Sequence, residues 1–313
     1  MISGIRDTGG AHSTGRGGCH RESGMSETAE QESTAPDRGV TIRSRHNGAA
    51  VWFREHVVAS FDTFGRQLGL FVEVFRTLFV DIAKRRFPFA EFIRQCAFMA
   101  STSVLPTLLV AIPIGVIVSI QVSNIAGQIG ATSFSGAATG LGVIRQGAPL
   151  VTSLLLAGAV GSAIAADLGS RTIRDEIDAM KVMGVNPVER LISPRLLATM
   201  VVSFLLCGFV CFVGFITGYV FNVYFQGGTP GSYTGTFASF ASVSDLSFAL
   251  IKSVIFGAIV AIVACDRGLS TKGGPAGVAN SVNAAVVNSV LLLFTVNVIL
   301  TQMFALLVPT KVV

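Results

Sequence analysis

The chain has 313 residues, of which 51% are hydrophobic and only 13% charged, against about 25% charged in soluble globular domains; its mean hydropathy is +0.66. That balance excludes an ordinary soluble enzyme, a disordered protein and a coiled coil. A formal net charge of +5 is modest, and in so apolar a chain it reports orientation in a bilayer better than nucleic-acid binding.

Residues 1–48 are rich in Gly, Ser, Thr, Arg and Glu, without apolar periodicity. They are expected to form a disordered extension. No apolar core follows their positive residues, so no secretory signal is read there. Met25 offers a second start, and the residues before it are expected to be dispensable.

Residues 49–88 are amphipathic. Phe53, Val57, Phe61, Phe64, Leu68, Phe71, Phe75 and Phe79 recur at spacings of three and four, with Arg54, Asp62, Arg66, Glu73, Arg76 and Asp81 between them. The pattern suits a helix in the plane of the membrane interface, or else a cytoplasmic helix packed on a partner. Lys84-Arg85-Arg86 and then Pro88 end it.

Residues 89–313 read as an all-α membrane domain. Residues 95–144, 196–244 and 273–310 contain no charge, and a spanning helix needs roughly 20 apolar residues. Five spans are expected: Ala97–Ser123 with Pro106 and Pro113 inside it, Gly147–Ala166, Leu196–Tyr219, Leu246–Ala264 and Val282–Val308. Cys19, Cys96, Cys207, Cys211 and Cys265 are an odd set without framework spacing, and the last four, in or beside apolar segments, read as small buried hydrophobes. Lys252 is the one ionisable residue placed inside a span, near its start, where its stem could snorkel outward. Asn222, Asn288, Asn297 and Gln302 are expected to bond across helices. The run Ala157-Gly158-Ala159-Val160-Gly161-Ser162-Ala163 would let the second span approach another helix closely, within the chain or at a dimer seam.

Arg171, Arg174, Lys181, Arg190 and Arg195 crowd the loop between spans two and three, and Arg267 and Lys272 the loop between four and five. The other two loops hold almost no positive charge, Arg145 excepted. The positive-inside rule puts the N-terminus and both basic loops in the cytoplasm and the C-terminus outside.

The segment from Asp167 to Gly184 carries the most information. Ile173, Ile177, Met180 and Gly184 share a helical face, while Arg171, Arg174, Asp175 and Asp178 take others. One helix from Ile173 to Met183 is expected, stopped by Gly184 and Pro187. Ser193-Pro194 reads as an N-cap with Pro at the first position of span three. The residues alone allow two readings, a solvated connector or a helix that docks in the cleft of a soluble partner. The chain has no phosphate-cradling Gly-x-x-x-x-Gly-Lys motif, no metal-ligand spacing among His12, His20, His46 and His56, and no nucleophile triad in the spans. These residues offer no catalytic chemistry of their own.

The run Asp167-Leu168-Gly169, Glu176-Ile177-Asp178-Ala179, Met183-Gly184, Pro187, Leu191 and Pro194-Arg195 resembles the signature of the MlaE/YrbE permeases. The tail opening Gly273-Gly274-Pro275-Ala276-Gly277-Val278 resembles the family's second, less specific signature. The likeness runs from about residue 51 to 308. It implies an ABC-transporter permease that moves lipid with MCE-domain proteins, built from an amphipathic elbow helix and five transmembrane helices with a short cytoplasmic coupling helix between spans two and three. Arg171, Ile173, Arg174, Asp175, Glu176, Ile177, Asp178, Met180 and Met183 would then dock the ATPase, and Asp167, Gly169, Gly184, Pro187, Pro194 and Arg195 would be the signature positions.

Two departures refine the resemblance. Asp167 stands where much of the family has Glu, and Ala157-Gly158-Ala159 where many members carry Gly-Arg. Both are similar to the A-type YrbE permeases of mycobacterial and related actinobacterial mce operons. That group implies a heterodimer with a B-type permease in the plasma (inner) membrane, no cofactor in this chain, ATP and Mg on a partner ATPase, and a fatty acid, mycolic acid or sterol as cargo. A nucleotide-independent carrier or channel, or a scaffold anchoring MCE proteins, are the alternatives.

Overall fold

A segment crossing a bilayer has no water to satisfy its backbone, so its N–H and C=O groups must pair internally. The computed structural model, which describes residues 65–67, 69–78, 88–130 and 134–307, adopts that solution five times. In chain order the helices are α1 (Phe89–Gln128), α2 (Ser135–Ile173), α3 (Glu176–Val182), α4 (Val188–Phe225), α5 (Pro230–Phe240), α6 (Val243–Leu269) and α7 (Gly274–Leu307). No strand occurs among the described residues. Helices α1, α2, α4, α6 and α7 are long and apolar enough to span a membrane, and they coincide with the five expected spans.

Each helix outruns its span. The 40 residues of α1 rise ~60 Å, about twice the hydrocarbon thickness, so its ends extend beyond the apolar layer. α2 begins at Ser135 rather than near Gly147 and contains two π-helical turns, Val143–Gly147 and Ala157–Gly161. Arg145 therefore lies inside the helix and not in a loop. Its charge is met by Asp245, 2.9 Å from Nε and only 3% exposed. Asp245 also closes a capping box with Ser242 that starts α6.

α4 corrects the expected cap. Ser193 is already helical, and its buried hydroxyl has no partner. The rod instead opens seven residues earlier, around Pro187, where Asn186 Oδ1 accepts the Val188 N–H at 3.0 Å. The π-helical turn Val188–Ile192 absorbs the hydrogen bond that Pro194 cannot donate.

α6 is the central helix. In its most apolar window 67% of residues are buried, against 28% in α1 and 22% in α7, so the outer faces of α1 and α7 are left for lipid or another chain. Leu156 and Leu168 of α2, Leu196 of α4, Ala261 and Cys265 of α6 and Ala285 of α7 meet in one core. Small residues set the spacing. A methyl on Gly257 would stand 2.8 Å from Ser203 Cβ and 3.0 Å from the Thr199 carbonyl, so α4 and α6 touch backbone to backbone. Of the small-residue run in α2, Ala157, Val160 and Gly161 are buried within the chain, and Gly158 faces open space. Cys96, Cys207, Cys211 and Cys265 are free thiols, three of them buried.

Residues 1–64 and 79–87 lie outside the described residues, and with them the extension, Met25 and both ends of the amphipathic stretch. Residues 65–67 and 69–78 are helical. Their inward face differs from the expected phenylalanine stripe. Gln67, Val74 and Leu78 are buried, Leu70 and Phe71 pack partly on the core, and Phe75 is 36% exposed. Arg66 grips Asp266 at the end of α6 with two bonds, 2.7 and 3.0 Å. That carboxylate raises the Arg66 pKa above its ordinary value.

Candidate functional site

The connector between α2 and α4 is not one helix. α2 runs to Ile173, Arg174 leaves the helical region, and Asp175 takes a left-handed conformation at φ 57°. It is the one non-glycine residue with positive φ among those described. Asp tolerates that region better than most side chains, so the chain turns there and α3 starts at Glu176. The end of α3 is as expected. Gly184, at φ +75°, donates to Lys181 O at 3.0 Å, and Val185 donates to Met180 O at 3.0 Å, the paired bonds of a Schellman stop.

The break changes which residues face outward. Ile177 is 5% exposed and Ile173 and Met180 are half-buried, so the stripe expected to meet a partner is partly spent on the chain itself. The apolar residues left outside are Val182 at 89%, Met183 at 70% and Val185.

Ion pairs link α3 to α2, and α2 to α4. Asp167 near the end of α2 pairs with Arg195 at the start of α4 and, at 3.2 Å, with Arg171 one turn on. Arg171 Nη1 is 3.9 Å from Glu176 at the start of α3, and Arg174 Nη2 is 3.1 Å from the same carboxylate. Arg195 is 5% exposed and its Nη1 has no partner. The Asp178–Lys181 pair, at 2.8 Å, is exposed on both sides and contributes little. Gly169 lets α2 meet the turn after α6, since a methyl there would stand 2.9 Å from Thr271 Oγ1. Thr172 reaches Gly268 O at 3.3 Å. The signature positions Asp167, Gly169 and Arg195 are thus brought to one end of the bundle, while Gly184, Pro187 and Pro194 shape the path of the chain. Glu176, Arg171, Asp167 and Arg195 thus form a chain of charge contacts from the start of α3 to the start of α4.

Two polar features in the bundle escaped sequence reasoning. Lys252 does not snorkel. It is fully buried, bonded to Gln146 Oε1 at 3.1 Å and Thr301 Oγ1 at 2.8 Å, with its Nζ 5.9 and 5.8 Å from the Phe248 and Phe256 ring centres. At the far end from the connector, a polar cleft of about 540 Å³ lies among α1, α2, α4 and α5. There Asn222 donates to Ser135 Oγ at 3.1 Å, a bond across helices as expected. Asn288, its amide oxygen turned to Arg267 at 2.9 Å from Nε, also bonds across helices. Asn297 Oδ1 has no partner and Gln302 is exposed. α5 was not foreseen, although Pro230 at its start and Tyr233 and Phe237 four apart are helix signals. Burial pushes the Tyr233 phenol up to about 12.

Residues 92–303 match the family model described as Permease MlaE. A probable ABC transporter permease protein of a Synechocystis species is 31% identical over 265 residues, covering 85% of this chain and 94% of the relative. The chloroplastic protein trigalactosyldiacylglycerol 1 of Arabidopsis thaliana is 30% identical over 201 residues, 63% of this chain and 56% of its own. A probable ABC transporter permease protein of Rickettsia prowazekii is 24% identical over 241 residues, 77% of this chain and 93% of its own.

Proposed function

Because the chain belongs to the MlaE permease family and is a multi-pass membrane protein, we propose that it is the permease subunit of an ABC-type lipid importer of the Mce kind. A separate ATPase, carrying ATP and Mg, docks on the α3 connector. The observation that carries this reading is α3 itself, a short element whose Glu176 meets Arg171 of α2, beside the Asp167–Arg195 pair that joins α2 to α4, and which presents Val182 and Met183 to solvent. The relatives named as ABC transporter permeases support the need for an ATPase. Asp167 and the Ala157–Gly161 run support the A-type YrbE reading, with a B-type permease as second subunit and MCE-domain proteins outside. A fatty acid, mycolic acid or sterol is the cargo, and the basic connector faces the cytoplasm of the plasma membrane.

Orientation is tested first. In intact cells an impermeant thiol reagent is expected to label Gly231→Cys and to spare Lys181→Cys, each in a cysteine-free background. Labelling at position 181 would put the connector outside and end the docking proposal.

Docking is tested by charging the exposed apolar pair. Burying two such side chains in a partner is worth about 1.5–3 kcal/mol each. The double change Val182→Asp and Met183→Asp is therefore expected to weaken ATPase co-purification by at least about tenfold. Helix content and membrane insertion should be unchanged. ATP-dependent uptake at the wild-type level, with the ATPase still bound, would make the segment a plain connector.

A further inference from the structure

Beside the connector lies a cavity of about 380 Å³, walled by the start of α1, the end of α2 and the start of α4. We propose that it is a binding site for an anionic amphiphile, an acyl chain ending in phosphate or carboxylate oxygens. Its two ends differ in chemistry. One end holds Arg94, Arg171 and Arg195 together with the carboxylates of Glu91 and Asp167; the other is apolar, with Phe98, Ala163 and Ile164.

The charge at the basic end is incompletely matched. Arg171 and Arg195 share the single carboxylate of Asp167, while Arg94 pairs with Glu91, which also accepts from Gln95 at 2.7 Å. Adding Arg174 and Glu176 leaves four guanidinium groups against three carboxylates. Arg195 lines the cavity, is 5% exposed and keeps Nη1 without a partner. That nitrogen is closed off, so the guanidinium groups open to an anionic oxygen are those of Arg94 and Arg171, whose side chains are 76% and 35% exposed.

The apolar end supplies the second half of the ligand. Phe98, Leu105, Leu109 and Ile112 fall on one face of α1, all exposed, running from the cavity toward the middle of the span. The cavity is at the small end of ligand pockets, which run about 300–1,000 Å³. It takes the headgroup and the first part of a chain, and the rest of the chain lies along that face. The site binds a lipid whether or not that lipid is cargo.

The test uses the detergent-solubilised full-length chain without ATPase or nucleotide, so its outcome is independent of the docking proposal. Native mass spectrometry would count adducts in equimolar dioleoyl phosphatidylglycerol and dioleoyl phosphatidylcholine, with oleate and inorganic phosphate as further arms. Both lipids carry the phosphodiester, but only phosphatidylcholine adds a quaternary ammonium that the arginines repel, so phosphatidylglycerol should be preferred by about tenfold. Arg94→Gln with Arg171→Gln should bring the ratio near parity. Ala163→Phe, which leaves every charge in place, should reduce occupancy by phosphatidylglycerol and oleate alike, and it serves if the double variant does not fold. Oleate adducts would extend the site to carboxylates, and their absence would overturn that half of the proposal. Displacement of the lipid by excess inorganic phosphate would assign the site to a free anion and overturn the amphiphile. Equal binding of the two phospholipids by the wild-type chain, or a preference unmoved in both variants, would overturn the proposal outright.

Discussion

Asp167→Ala is expected to destabilise the chain by about 3 kcal/mol, measured as the shift in unfolding of the purified protein in detergent. The change strands the Arg195 guanidinium, buried to 5%, without its carboxylate, and breaking a buried pair costs about 3–5 kcal/mol. The lower end applies because the Asp167 side chain is 42% exposed and water can reach the gap. Arg171 loses the same partner, so proteolysis within the connector should rise as well. Asp167→Glu keeps the charge and should recover most of the loss; Asp167→Asn keeps the shape and should not. Removing both partners with Asp167→Ala and Arg195→Met should cost less than the two single changes added together. Melting of the Ala variant at the wild-type temperature would show that the signature acid does not hold the two spans.

Lys252 gives the other large effect, with opposite signs for two substitutions. Lys252→Met is expected to leave stability unchanged or raised, because it removes a buried cation whose contacts are two neutral oxygens. Replacing buried charge by an apolar side chain of similar size is often neutral or stabilising by about 1–4 kcal/mol. Thr301 keeps its bond to Asn297 O at 2.6 Å, so Gln146 alone loses a partner, and Gln146 is exposed, so the loss costs little. Lys252→Glu should lose more than about 3 kcal/mol. Its carboxylate would face the Gln146 oxygen and the electron-rich faces of Phe248 and Phe256. Equal melting of the Met and Glu variants would mean that the site is wet and that the burial described above is wrong.

The spans were legible because their signal is local and one-dimensional: long charge-free runs admit few other readings. What failed was what depends on distant residues. Arg145 read as a loop charge because Asp245, its partner, stands 100 positions away. Lys252 read as a snorkelling residue because periodicity says nothing of Gln146 and Thr301. The connector's end was visible in Gly184, whose left-handed φ is a glycine signal. The break at Asp175 was not visible, because a left-handed aspartate leaves no mark on an apolar stripe. Ser193 has the chemistry of a cap, but the helix begins seven residues earlier at Asn186-Pro187. The signature residues were found as a string, and only the folded chain makes Asp167 and Arg195 neighbours. The basic-to-apolar cavity beside them draws on three helices and has no linear pattern at all.

The bond between Arg66 and Asp266 spans 200 residues, and that interval has a consequence for biogenesis. At about 5–20 residues per second, Asp266 is synthesised roughly 10–40 s after Arg66. For that time the amphipathic segment has no carboxylate to grip, and Val74 has no α6 residues to pack against. The bilayer surface is the nearest apolar phase on which such a segment can wait. It is made first and locked late, when the fourth span is complete.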